Sequence, residues 1–142
     1  MQELGIKPEI EIFDAGMIYN TLYYLEKGVL KAPVHFQFVL GAAGGIAATV
    51  ENLAFLKNLI PQGQGHTWAA LGIGKSHVPI MMATLAMGGH LRVGMEDNVM
   101  YGLGQLAESN AQLVRRAADF IRLAGNEVAT PADAKEILSL NR

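Results

Sequence analysis

The sequence predicts an α/β fold, half of a (β/α)8 barrel, and three observations carry that prediction. Strand-like and helix-like segments alternate four times along the chain. Each strand-like segment has one polar and one apolar side: Glu9 and Glu11 against Ile10 and Ile12, His35 and Gln37 against Phe36 and Phe38, His90 and Arg92 against Leu91 and Val93. The 142 residues suffice for one partial-barrel domain but fall well short of the roughly 250 of a complete barrel. Central strands of an open doubly wound sheet are covered on both faces and read as continuous apolar runs. One-sided polarity instead selects a barrel wall, with helices outside and a polar lumen inside.

Pro8-Glu-Ile-Glu-Ile-Phe13 alternates with the period of a half-buried strand, and residues 15–27 follow with an apolar stripe closed by Gly28. After Pro33, Val34-His-Phe-Gln-Phe-Val39 repeats the strand pattern. Leu40-Gly-Ala-Ala-Gly-Gly45 then reads as a loop, and residues 49–59 as a helix capped by Thr49. His66-Thr-Trp-Ala-Ala-Leu71 is the third strand and Gly72-Ile-Gly-Lys-Ser76 its loop. Residues 77–87 form the next helix, with Pro79 in its first turn and Gly88-Gly89 ending it. The fourth strand, His90-Leu-Arg-Val-Gly94, leads through Met95-Glu-Asp-Asn98 to a long amphipathic helix expected over 103–123, and a short helix starts near Pro131. Such a half-barrel exposes strand edges on both sides. It therefore requires a partner: the missing half, a separate chain, or a second copy.

Eleven basic against thirteen acidic side chains, a net charge of −2, leave no electrostatic footprint for nucleic acid or an anionic membrane. The chain has no cysteine, which excludes disulfides, thiolate nucleophiles and Cys-type zinc sites and fits a reducing cytoplasm. The N-terminal residues lack a basic segment followed by an apolar run, and no apolar stretch is of membrane-spanning length, so a soluble, unexported chain is expected.

Reacting groups of a barrel lie at the C-terminal ends of its strands and in the loops beyond. Arg92 points into the lumen there, followed by Glu96, Asp97 and Asn98. A guanidinium can hold an oxyanion, and adjacent carboxylates can divide into metal ligand and general base. The same acidic run would also serve as the first turn of the long helix. Glu9 and Glu11 inside the lumen need a cation, from Arg92 or a metal, and could equally form an ion pair that only fixes strand register. The loops holding Gly44, Gly45 and Gly74 could cradle phosphate or carboxylate on backbone amides, or simply turn the chain; neither has Walker A or dinucleotide spacing. The histidines form no HxH or HExxH pattern. His35, His66 and His90 open strands at the stability face, whereas His77 follows an active-site loop or caps a helix. The methionines, Met81, Met82 and Met87 among them, read as core filler, and Trp68 as lumen packing or a substrate wall.

Lys7-Pro-Glu-Ile-Glu-Ile-Phe-Asp14, Phe38-Val-Leu-Gly-Ala-Ala-Gly-Gly45, Gly72-Ile-Gly74 and above all Gly88-Gly-His-Leu-Arg-Val-Gly-Met-Glu-Asp-Asn98 resemble the C-terminal half of the β-keto acid cleavage enzyme family, of which the 3-keto-5-aminohexanoate cleavage enzyme is the founding type. The resemblance runs through essentially the whole chain. It implies a zinc-dependent (β/α)8 barrel that converts a β-keto acid and acetyl-CoA into acetoacetate and a new acyl-CoA. It further implies that Glu96 joins two histidines on Zn2+ and that Asp97 is the general base. Arg92 would steady the reacting carbonyl or anion, and Glu9 would be an active-site glutamate at the end of its strand. In the family the two histidines form a His-x-His pair on an early strand, and no such pair occurs in these 142 residues. The expectation is a fragment or subunit inactive without an N-terminal half. The alternative is a non-catalytic half-barrel that homodimerises as a structural or binding protein.

Overall fold

The structure, a computed structural model, describes residues 1–140. Four parallel strands, β1 (Glu9–Ile12), β2 (His35–Leu40), β3 (Thr67–Gly72) and β4 (His90–Leu91), lie side by side in chain order. Helices α1 (Ala15–Glu26), α2 (Val50–Asn58) and α3 (His77–Ala86) connect them. This is the βα repeat of half a barrel. Local sequence sets the boundaries: Asp14 accepts a hydrogen bond from the Gly16 amide at 2.7 Å to start α1, and Thr49 accepts one from the Asn52 amide at 3.2 Å to start α2.

The register aligns Glu9 with His35, Glu11 with Gln37, Gln37 with Ala69, and Ala69 with His90. Aligned residues of parallel neighbours share a face, so the polar side chains collect on one side of the sheet. On the other side Ile12, Phe36, Phe38, Leu40, Trp68 and Ala70 pack with Ile18, Leu53, Leu56 and Ile80 into the core beneath the helices. Trp68 thus belongs to the helix side, its ring 5.8 Å from that of Phe38, and is neither lumen packing nor a substrate wall. Met81 is buried as expected of core filler, but Met82 is exposed.

The last third differs from the expectation. The fourth strand pairs only over His90–Leu91, and the residues expected to begin a long helix form an antiparallel hairpin, β5 (Met100–Gly102) and β6 (Gln105–Leu106). Gly104, at φ +72°, sits in its turn, a backbone conformation that favours glycine. The amphipathic helix α4 (Asn110–Leu123) begins later because Ser109 caps it, accepting from the Gln112 amide at 3.2 Å. Arg116 of α4 anchors the hairpin: its guanidinium lies 4.5 Å from the centre of the Tyr101 ring and donates to the Tyr101 carbonyl. Helix α5 (Pro131–Ile137) starts at the expected proline behind a Thr130–Asp133 capping box. Lys7, just before β1, donates to the Leu138 carbonyl at 2.5 Å and ties this end of the chain to the sheet. Among the described residues no helix is long and apolar enough to cross a membrane.

Gly89, between α3 and β4, lies against the Trp68 indole, and a Cβ there would stand 2.5 Å from a ring carbon. Gly89→Ala should therefore cost about 1–3 kcal/mol by overpacking. Urea denaturation followed by Trp68 fluorescence measures this; wild-type stability in the variant would disprove the contact.

Candidate active site

Arg92 stands just beyond β4, at the C-terminal end of the sheet, and gathers three carboxylates. Its Nη1 donates to Glu11 Oε1 at 2.6 Å and its Nη2 to Glu96 Oε1 at 2.7 Å, while its Nε lies 3.6 Å from Asp97 Oδ2. Glu11 comes from β1 and the other two from the turn after β4, so the cluster joins the two outer strands across the polar face. The turn is tight, with the amides of Asp97 and Asn98 both donating to the Gly94 carbonyl at 3.1 Å. Its position is fixed on both flanks. The Asp97 carbonyl accepts from the Gly74 amide at 3.1 Å, and the buried Asn98 side chain bonds both the amide and the carbonyl of Met100. The acidic run is therefore not the first turn of the long helix, which starts twelve residues after Asn98, at Asn110.

Burial pulls the Arg92 pKa down, but hydrogen bonding and charge from Glu11, with Asp97 and Glu96 adding to it, outweigh this and raise it above its ordinary value. Asp97 is the enclosed acid, its side chain 9% exposed and its Oδ2 buried without a hydrogen-bond partner. Burial pushes its pKa up; Arg92 opposes the rise, whereas Glu96 and Glu11 reinforce it. Glu96 is the open one, with 75% of its side chain exposed.

Other expected site residues lie elsewhere. Glu9 is the first residue of β1, not at the strand's C-terminal end, and faces His35 at 3.8 Å instead of Arg92. Glu11, two residues on, takes the place at the guanidinium. Period-two alternation identifies both glutamates as inward-facing, and only the register tells how deep each stands. The Gly45 amide donates to the Ala42 carbonyl at 3.0 Å and the Gly74 amide to Asp97, so both are engaged within the chain. Gly45 is required for close approach, since a Cβ there would lie 2.9 Å from the Phe13 carbonyl oxygen, and Gly44 adopts φ +80° in the same loop. His66 accepts from the Val34 amide at 3.0 Å. His77 is the buried first residue of α3, its pKa lowered by burial and by Arg116.

Among the described residues no three His, Asp or Glu side chains converge as placed on a metal-sized point. At the Arg92 end the most open carboxylate is Glu96, 75% exposed, ahead of Glu11 at 46%. A cavity of about 780 Å³ runs from Arg92 past Gln37 to His35, His90 and Glu9, walled by α4 and α5.

Comparison with known proteins finds relatives along the whole matched length. The family described as "beta-keto acid cleavage enzyme" matches residues 1–140. The 3-keto-5-aminohexanoate cleavage enzyme of Fusobacterium nucleatum subsp. nucleatum is 43% identical over 140 residues, covering 99% of this chain and 50% of the relative. The 3-oxoadipate:acetyl-CoA acetyltransferase of Cupriavidus necator is 38% identical, covering 99% of this chain and 50% of the relative. The chain thus spans about half the length of the curated relatives it matches. A solved structure titled "Apo structure of ObcA" superposes with a TM-score of 0.83 over 99% of this chain and 38% of its own, at 15% identity, which shows the shared fold.

An acid whose folded pKa is raised stabilises the fold in its protonated form, and that contribution fades as pH rises through the folded value. Asp97→Asn retains a neutral group, so it should melt above wild type at neutral pH, with the difference closing as pH falls below the ordinary carboxyl value of 3.8. Thermal melts across that range test it. A lower melting temperature for Asp97→Asn at neutral pH would show that the attraction of Arg92 exceeds the cost of burial.

Proposed function

The chain belongs to the β-keto acid cleavage enzyme family, and from that premise we propose that it is the C-terminal half of a barrel that cleaves a β-keto acid with acetyl-CoA as co-substrate. In the reaction the bond between the keto carbon and its carboxymethyl unit breaks, and that unit joins the acetyl group as acetoacetate. CoA leaves on the remaining acyl group. The observation that carries the reading is the grouping of Arg92 with Glu11, Glu96 and an enclosed, singly contacted Asp97.

Carbon–carbon exchange of this kind requires a proton to leave a carbon next to a carbonyl and the resulting anion to be held. Asp97 is the base: burial weakens its hold on the charged form, which makes its carboxylate more basic than a solvated one. Arg92 supplies the positive charge beside the developing anion. Glu11 is a positioning residue that fixes the guanidinium from the far strand, at 2.6 Å. Glu96 would serve Zn2+, which when bound polarises the keto oxygen as a Lewis acid. The two histidines this requires would come from a companion half; among the described residues no metal site is complete at Arg92. Gly44, Gly45 and Gly74 shape the mouth of the lumen, Gly45 and Gly74 through hydrogen bonds within the chain instead of to the co-substrate.

The test is to fuse the chain behind the amino-terminal half of the Fusobacterium nucleatum relative and measure acetyl-CoA-dependent release of acetoacetate. The fusion should turn over and the chain alone should not. In the fusion, Asp97→Asn should lower kcat by about 10²–10⁴-fold while sparing bound zinc. Glu96→Gln should lower zinc content as well as turnover. Equal and mild effects would refute the assigned roles, and an inactive fusion beside a discrete homodimer of the chain would favour a non-catalytic half-barrel.

A further inference from the structure

The geometry points to a preformed slot for one more β-strand, between the free edge of β4 and helix α4, whose occupant is a strand of the companion half running parallel to β4. This rests on the reading above that the chain works with such a half. β4 is the outer strand of its sheet, with β3 beside it and no strand paired on its other edge among the described residues. The cavity of about 780 Å³ wraps around that edge. His90 and Arg92 line it from the polar side of the sheet, where His90 is level with Ala69 and Gln37. Leu91 and Val93, which alternate with them, line it from the apolar side, where Leu91 is level with Ala70 of the core. Space that is continuous from one face of a sheet to the other, past its last strand, is the space of a further strand.

The βα repeat says what roofs that space. Helix α3 follows β3 and packs on both β3 and β4. By the same step α4, which follows β4, covers the position of the next strand, and its sequence suits the task. Val114, Ala117, Ala118 and Ile121 recur at the i, i+3, i+4, i+7 spacing of one helix face, and all four line the cavity. Leu113, one residue round the helix, is fully buried, so α4 is already held on its inner side, whereas Val114 is 54% exposed. The two alanines in the middle of the stripe leave room for large side chains opposite. A helix, about 10 Å across, would hold its backbone away from β4, whereas a strand stands about 4.8 Å from its neighbour and bonds to it.

Charge selects the occupant. At the exit of the lumen one guanidinium already stands against three carboxylates. The edge with which a second copy would continue the sheet is β1, and it would bring Glu9 and Glu11 to the same polar side. The strand that fits instead carries large apolar side chains toward α4 and neutral or basic ones toward His90 and Arg92. Half of each curated relative has no counterpart in this chain and can supply it.

The chain contains no cysteine, so a single introduced thiol reports the slot without background. Val114→Cys and Ala118→Cys, with Met82→Cys on the exposed side of α3 as reference, are labelled in the chain alone and after co-expression with the amino-terminal half of the Fusobacterium nucleatum relative. In the pair both slot thiols should react at least about tenfold more slowly than in the free chain, Met82→Cys should be unchanged, and amide hydrogen exchange over residues 91–93 should slow as well. Ala118→Trp, which fills the slot, should leave the melting temperature of the chain unchanged and prevent co-purification of the added half. Slot thiols that stay reactive in the pair, an added half that does not co-purify with the unsubstituted chain, or slot thiols already protected in a homodimer of the chain alone would each overturn the proposal. An active fusion with reactive slot thiols overturns this inference and spares the catalytic reading; an inactive pair with protected ones does the reverse.

Discussion

The contact between Arg92 and Glu11 is the constraint on which the rest of the arrangement depends. Glu11 lies on the first strand and Arg92 directly follows the last strand of a four-stranded sheet, three strand spacings apart, roughly 14 Å if the sheet were flat. A hydrogen bond of 2.6 Å between their side chains ties the two outer edges of the sheet together across its polar face. The helices cover the other, apolar face: Leu53 and Leu56 of α2 and Ile80 of α3 lie fully buried against Phe36, Phe38 and Leu40. Sheet, core and site are thus one problem with one solution. The same guanidinium also receives Glu96 and Asp97, so the loop after β4 is positioned by the bond that spans the sheet.

The repeat of strand and helix was legible because each unit states its own boundaries. Thr49, Pro79, Gly88 and Pro131 mark helix ends through chemistry confined to a few residues, and the structure places helix ends beside all four. The hairpin before α4 was not read, although its signals were present in Gly102, Gly104 and the Ser109 to Gln112 spacing. Leu103 and Leu106 continue the apolar rhythm of α4 backward, and periodicity alone extends the helix through them. Both leucines are exposed, Leu103 fully, so that rhythm has no packing behind it. Arg116 settles the matter by holding the Tyr101 ring and carbonyl, a contact fifteen residues away in sequence that no local pattern announces.

Site depth was the other illegible quantity. Alternation tells which residues face the lumen, but in a parallel sheet their height along the axis follows from register. Glu9 aligns with His35 and Glu11 with Gln37, and this one step divides the lumen into two chemistries. At the Glu9 level stands His35, whose pKa burial lowers to about 4, whereas His90, aligned with Ala69, stands at the level of Gln37 and Glu11. The Glu11 level leads on to the charges gathered at Arg92, from the open Glu96 to the enclosed Asp97.

Charge balance at the mouth argues that the site is half of something larger. One guanidinium stands against three carboxylates, on a chain whose net charge is already −2. An acid substrate and the phosphates of acetyl-CoA are anions, and a negative cluster repels both at any distance shorter than the screening length, about 8 Å in physiological salt. On the proposed reading, a cation would have to be supplied before such substrates bind, either as a metal ion on Glu96 or as basic side chains of a companion half. The open edges of β1 and β4 and the surplus of negative charge at Arg92 have the same origin. Each is a valence, of backbone hydrogen bonds in one case and of charge in the other, that four further βα units would satisfy.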